Sequence, residues 1–280
     1  MYNNRVVYSI SPSSKIVSYP VDQISGLSEE YITSFDPGVT GPVVLLRAIA
    51  TGQATRDQHF YLAIFTYDGE LRRISKLQLS LDPIKVAQLG DDQYLILGAD
   101  LGEGKARFVI IDSTGALLRD RDNEGVTPSD ERVLSMLSSI DVVGMKPSAL
   151  PAAQRVPAAL SLFRPVHSQS GLLILEPGKD ARIVELLHSG ETRIVRLQLP
   201  SNQIADSLIT DRGSWFLRSF LQDSDTAANL YQVDPDTGSA IKRINTSGVP
   251  STSIACPTDG GFVGIRWVAR KPYLIHGEIQ

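Results

Sequence analysis

Brief apolar runs alternate with polar turns along nearly the whole chain. Tyr94-Leu95-Ile96-Leu97, Leu172-Leu173-Ile174-Leu175 and Trp215-Phe216-Leu217 are examples. Such runs are too short for ordinary helices, and they are bounded by Gly and Asp, so they read as strands. The turns are of two kinds. Leu89-Gly90-Asp91-Asp92, Thr210-Asp211-Arg212-Gly213 and Thr258-Asp259-Gly260-Gly261 mark one corner. Tyr67-Asp68-Gly69-Glu70, Asp112-Ser113-Thr114-Gly115, His188-Ser189-Gly190-Glu191 and Asp234-Pro235-Asp236-Thr237-Gly238 mark the other. The two corners alternate, so the repeating unit is four short strands.

Recurring four-strand units stack radially as a β-propeller. The expected fold is therefore all-β and a single domain over residues 1–280. The clearest blade runs through Ile84–Leu89, Gln93–Ala99, Arg107–Asp112 and Ala116–Asp120. A later one is expected to open with a strand over Ala159–Val166. The corners favour five blades, with six left open. The last blade, Ser251–Ala255, Phe262–Ala269 and Tyr273–Ile279, lacks an outer strand, while Arg5–Ile10 and Lys15–Val21 form a surplus hairpin at the other end. An unclosed ring exposes sheet edges, so strands from both ends are expected to share one blade.

One segment breaks the rhythm. Residues 122–157 are too long for a blade connection and read as an inserted helix and loop. Thr127-Pro128 resembles a helix start, with Asp130 and Glu131 at the positive end of the dipole. Val133, Leu134, Leu137 and Ile140 then follow at helical spacing, which predicts a short helix near 128–141. Lys146 to Pro157, rich in Pro and Ala, reads as loop. The insertion either caps a rim or serves as a lid or partner-binding arm.

Composition narrows the function classes. The chain is 42% hydrophobic and 21% charged, with net charge -4 and no run of like charges, so the basic footprint of a nucleic-acid binder is absent. No apolar stretch approaches a transmembrane span. Cys256 is the single cysteine, which excludes an internal disulfide and Cys-rich zinc sites. No secretory leader is visible; the expectation is cytoplasmic if Met1 is the true start, and periplasmic or secreted if a leader was removed. A monomer is expected, with no cofactor.

The candidate chemistry is a recurrent charge. Aligning the second strands by their corners, the residue that ends the apolar run is Arg47, Gly98, Glu176, Arg218 and Arg266. Equivalent positions in a radial array face equivalent ways. Facing the axis, Arg47, Arg218 and Arg266 form an electropositive funnel with Glu176 as orienting partner, suited to an anionic ligand. Facing between blades, they pair with neighbouring carboxylates and hold the ring. A one-residue slip in register exchanges the two outcomes.

Other features read as structural. His59, His167, His188 and His276 share no helix or strand face, and each reads as a polar strand or loop residue. Asp223-Ser224-Asp225 and Asp234-Pro235-Asp236-Thr237-Gly238 lack the full calcium-loop pattern and read as turns. Gly102-Glu103-Gly104 reads as a hairpin loop, and no nucleophile-elbow or phosphate-loop motif occurs. Trp215 and Trp267 read as packing between blades.

The phrases Gly90-Asp91-Asp92-Gln93-Tyr94-Leu95-Ile96, Asp259-Gly260-Gly261-Phe262-Val263 and Ile110-Ile111-Asp112-Ser113-Thr114-Gly115 resemble those of bacterial propellers of the broad TolB-like and NHL-like type. The resemblance implies a binder, often periplasmic or secreted. Gluconolactonase-like propeller enzymes hold a central metal with Glu, Asn and Asp; no such set can be placed on the inner strands here. The expected function is thus a non-enzymatic propeller recognising a protein or small anionic ligand, with no catalytic or metal residues assigned. A metal-dependent hydrolase or lactonase is the alternative.

Overall fold

The computed structural model describes residues 6–10, 16–21, 27–50, 58–100, 102–121, 126–139, 150–221, 228–244, 254–258, 261–268 and 271–278. The chain divides into two compact units, 1–130 with 152–161, and 131–151 with 162–280.

In the first unit, β1 (Val6–Ile10) and β2 (Ile16–Pro20) form a two-stranded sheet. β3 (Leu27–Asp36), β4 (Val43–Ala50), β5 (Gln58–Phe65) and β6 (Leu71–Leu77) form a four-stranded antiparallel sheet in chain order. β7 (Leu81–Gly90), β8 (Gln93–Asp100), β9 (Ala106–Ile111) and β10 (Leu117–Asp120) form the next. Strands β3 and β7 lie side by side as the inner strands of their sheets. Val43, Leu45, Leu62 and Ile64 of one sheet and Val86, Tyr94, Ile96, Val109 and Ile111 of the other close a buried layer between the sheet faces. The opposite face of the β3–β6 sheet, with Val44, Leu46, Ala63 and Phe65, packs on Tyr19 and Val21. Alternation along each strand thus fills two layers at once, as in a stacked blade.

The inner strands share no main-chain ladder, and side chains of β3 take its place. The Gln88 N–H donates to Asp36 Oδ2 at 2.7 Å, and the Val86 N–H donates to Ser34 Oγ at 3.2 Å. Both N–H groups would otherwise be buried without an acceptor.

In the second unit, α1 (Asp130–Ser139), whose first residue belongs to the other unit, precedes β11 (Arg164–His167), β12 (Gly171–Glu176), β13 (Arg182–Leu187) and β14 (Thr192–Arg196), again a four-stranded antiparallel sheet. The next holds β15 (Gln203–Asp211), β16 (Ser214–Leu221), β17 (Ala228–Val233) and β18 (Ala240–Ile244). β19 (Ile254–Thr258), β20 (Gly261–Val268) and β21 (Lys271–Glu278) form a three-stranded sheet. Inner strands β11, β15 and β19 are neighbours in that order. Leu173, Leu175, Ile183 and Val195 meet Leu208, Trp215, Leu217 and Tyr231 in the layer between the first two sheets.

The turns follow the residue chemistry expected of them. Asp234 Oδ1 accepts the N–H groups of Asp236 and Thr237 at 2.8 and 3.0 Å, which closes the turn. Gly238 ends it at φ +72°, where a Cβ would lie 2.1 Å from the Arg196 carbonyl oxygen, so only glycine fits. The segment Asp223-Ser224-Asp225 and the side chains of Cys256, Arg266, Trp267 and His276 lie outside the described residues.

The insertion differs from expectation. A second helix, α2 (Ala152–Leu162), occupies part of the expected loop, and the first strand of the next sheet begins at Arg164 rather than Ala159. Pro157 sits inside α2 and withholds one N–H. Alanine-rich sequence and a buried stripe of Val156, Ala159 and Leu160 at helical spacing outweigh it. In α1 the buried stripe is Val133, Met136 and Leu137, while Leu134 is 47% exposed, so the apolar face lies one residue round from the expected one. Ile140 lies outside the described residues.

Candidate ligand site at the starting ends of the inner strands

The five aligned positions do not share one face. Arg47 stands on the face of β4 that carries Val43 and Leu45, turned toward the β7–β10 sheet. Gly98 shares the face of Tyr94 and Ile96 and so looks back at it. Glu176 lies with Leu172 and Ile174, opposite the face that meets the β15–β18 sheet. Arg218 lies with Phe216, opposite Trp215 and Leu217. Arg47 and Arg218 therefore point the same way relative to their neighbours, and Gly98 and Glu176 point the other. The distance from corner to the end of the apolar run differs by one residue among the strands. Bulges between Ile32 and Ser34, Pro83 and Lys85, and Ala205 and Ser207 shift the pairing further. Arg266 lies on β20 opposite Tyr273.

Their partners separate them again. Glu176 is fully buried and receives two guanidiniums. Arg182, directly across on β13, donates at 2.6 and 2.8 Å, and Arg132 of α1 donates to the same carboxylate and, at 2.8 Å, to the Asp180 carbonyl. This is an anchor for α1 on the sheet. Arg218 forms a two-pronged ion pair with Asp206 of its own sheet, one prong at 2.9 Å. Arg164, at the start of β11, feels both members of that pair; burial and the Arg218 charge hold its guanidinium below the usual arginine range, with Asp206 opposing. Arg164 was not among the residues expected from the sequence. It precedes Pro165 at the start of a short inner strand, where no recurrent pattern marks it.

Arg47 is different. It lies directly opposite Tyr31 on β3 and Phe60 on β5, and its guanidinium sits 5.8 Å from the Tyr31 ring centroid. Its Nε is buried without a hydrogen-bond partner, and among the described residues the side chain makes no hydrogen bond. Nearby, Asp82 projects from inner strand β7, also without a hydrogen bond among the described residues. Burial raises the Asp82 carboxyl above the ordinary range, and the Arg47 charge offsets part of that. The native state therefore holds the Asp82 proton more tightly than the unfolded chain. The linked stability is present below the unfolded pKa and lost as pH rises through the folded one. Asp82→Asn is accordingly expected to melt higher than wild type at neutral pH, with the gap closing as pH falls into the carboxylate range. Melting curves across that range test this, and an Asn variant that melts lower at pH 7 would contradict it.

A second charged group lies at the same end of the β7–β10 sheet. Arg107 joins Asp100, at 3.1 Å, to Asp120 across β8, β9 and β10. Asp100 and Arg107 border an open groove of about 620 Å³ lined also by Glu103, Lys105 and Thr127–Asp130. The backbone N–H groups of Glu103 and Gly102 hold the Asp100 carboxyl below its usual range, so its lone pairs are committed to the hairpin loop. Gly102-Glu103-Gly104 is that loop, as its composition implied. Trp215 is 3% exposed in the layer between two sheets, with Arg193 stacked 5.8 Å from its ring centroid. Among the described residues no group of three or more His, Cys, Asp or Glu could hold a metal ion.

No family model and no curated protein matches the chain, so the TolB-like and NHL-like resemblance has no family match behind it. Solved structures do align. A protein of unknown function from Bacteroides caccae aligns over 96% of this chain and 87% of its own, at 14% identity and TM-score 0.45. Porphyromonas gingivalis dipeptidyl peptidase 4 aligns over 96% of this chain and 40% of its own, at 8% identity and TM-score 0.46. The dihydro-heme d1 dehydrogenase NirN, in complex with DHE, aligns over 97% and 58%, at 9% identity and TM-score 0.33. This chain thus spans less than two thirds of the latter two.

Proposed function

We propose that this chain is a non-enzymatic recognition module that binds a small anionic ligand at the starting ends of its inner strands, with Arg47 as the primary contact. One observation carries the reading: Arg47 has a buried Nε and no hydrogen-bond acceptor among the described residues. A desolvated donor without an acceptor is costly, and an incoming carboxylate or phosphate relieves that cost with a charge-assisted bond. Stacking on Tyr31 fixes the plane of the guanidinium and leaves its fork pre-set for an oxyanion. Arg218 and Glu176 are engaged by Asp206 and by Arg132 and Arg182, so they support the scaffold rather than the ligand in this reading. The framework we propose is a five-bladed propeller in which the two-stranded and three-stranded sheets of the chain ends complete one blade, with six blades as the alternative count; covering the edges of both short sheets supports it.

Thermal melting with acetate, succinate, citrate and inorganic phosphate tests the reading. A ligand that binds the folded state, at a hundredfold excess over its Kd, stabilises by about 2.7 kcal/mol. That corresponds to a rise in Tm of roughly 5–10 °C. Arg47→Ala is expected to weaken binding by about 10- to 100-fold, the worth of hydrogen bonds to a charged group, and Arg47→Lys to restore only part of it. Wild type that responds to none of the four anions, or a response unchanged in Arg47→Ala, would overturn the proposal.

A further inference from the structure

Arg47 stands in an apolar row. Tyr31, Arg47, Phe60 and Leu77 lie directly opposite one another across β3, β4, β5 and β6. Side chains paired in this way share one face of a sheet, and here it is the face that carries Val43 and Leu45. The β7–β10 sheet meets that face with further apolar surface. Gly98 looks across without a side chain, and Leu81 fills the space it leaves, since a Cβ on Gly98 would meet the Leu81 side chain at 2.4 Å. Arg107, opposite Gly98 on β9, is taken up by Asp100, Asp120 and Ser80. Asp82 pairs with Ala99 and so belongs to the other face of its sheet. Arg47 therefore brings a single positive charge to apolar surroundings.

That setting selects among anions by how strongly they hold water. Of the Arg47 nitrogens, Nε is shut off from solvent without a partner, so a ligand that reaches it must itself leave water. Phosphate and citrate carry more than one charge and need several donors, and one guanidinium cannot replace their hydration. A carboxylate carries one charge, matches the guanidinium fork with its two oxygens, and brings a carbon body that gains from leaving water. Tyr31 is 38% exposed, with its ring centroid 5.8 Å from the guanidinium, so its ring is a surface on which that body can lie.

Resting on the reading of Arg47 as the anion contact, we propose that the ligand is a monocarboxylate with an apolar or aryl body, its carboxylate on Arg47 and its body along Tyr31 and Phe60. Tyr31 is then the residue that sets the preference for the body. Every residue invoked belongs to the first compact unit. No bond is made or broken, so the site is one of recognition.

Calorimetric titration of the full chain with 3-phenylpropionate, acetate, inorganic phosphate and 3-phenylpropanol tests it. The first and last share an aryl body and differ in charge, while acetate keeps the carboxylate and drops the body. Wild type is expected to bind 3-phenylpropionate about tenfold or more tightly than each of the others, since burying about two methylenes' worth of the body has that effect. Tyr31→Ala is expected to cut the preference over acetate by about fivefold, and Tyr31→Phe to keep it. N-acetyl-L-phenylalanine separates the two sources of such a carboxylate: tighter binding than 3-phenylpropionate supports the end of a peptide chain, and weaker binding supports a free acid. If acetate or phosphate matches 3-phenylpropionate in wild type, or the preference survives in Tyr31→Ala, the proposed class fails while Arg47-dependent binding still supports the broader reading. If 3-phenylpropanol matches it, if no anion binds wild type, or if Arg47→Ala binds the anions as well as wild type, both fail together.

Discussion

Glu176→Ala is expected to lower stability by about 3 kcal/mol, because removing one member of a buried ion pair leaves the other charges uncompensated. Arg182 and Arg132 both converge on this carboxylate, which is itself fully buried. Each guanidinium retains some exposure, at 15% and 21% of its side chain, so water relieves part of the loss and the expected value sits at the low end of the range. Arg132 belongs to α1, so the variant also frees that helix from its anchor. A fall in Tm of roughly 6–12 °C follows. Glu176→Gln keeps a hydrogen-bond acceptor and should fall less. Unchanged melting combined with weakened anion binding would move Glu176 from the scaffold back into the ligand site, where the recurrent sequence position had placed it.

Leu217→Ala is the second large effect. Leu217 is fully buried on β16, in the layer where Leu173, Leu175 and Ile183 of one sheet meet Trp215 and Tyr231 of the other. Truncating a buried leucine loses its transfer free energy and leaves a cavity, together about 2–5 kcal/mol. Both walls of this layer are strands tied into four-stranded ladders, so they cannot collapse far, and the expected cost is about 3 kcal/mol or more. The denaturation midpoint should fall with little change in slope. A loss below about 1 kcal/mol would mean that the two sheets are packed less tightly than described. Binding through Arg47 should be untouched, since Leu217 and Arg47 belong to different compact units.

The sheets were legible because strand sequence and turn sequence are both local. Gln93–Asp100 alternates between two buried faces and begins at a Gly-Asp-Asp corner, so its existence, length and partner follow from neighbouring residues alone. The α2 helix was not legible. Pro147, Pro151 and Pro157 argue for loop locally, and only the burial of Val156, Ala159 and Leu160 makes the helix worth its lost hydrogen bond. The site was half legible. Arg47 drew attention as a charge that ends an apolar run, but nothing in the sequence links it to Tyr31 or Asp82. Those residues come from other strands, and Asp82 from another sheet.

The amino-acid sequence by itself determined the all-β character, the four-strand unit and the turns that close it, because a period of two and a glycine or aspartate at a corner are properties of a few adjacent residues. It also determined that arginine recurs near the ends of the second strands. Only the tertiary structure decided which face Arg47 and Arg218 take, since one bulge or one extra residue reverses a strand side chain. Only it decided that Glu176 and Arg218 are held in ion pairs while Arg47 makes no hydrogen bond among the described residues, because ion pairing depends on which strands are brought abreast.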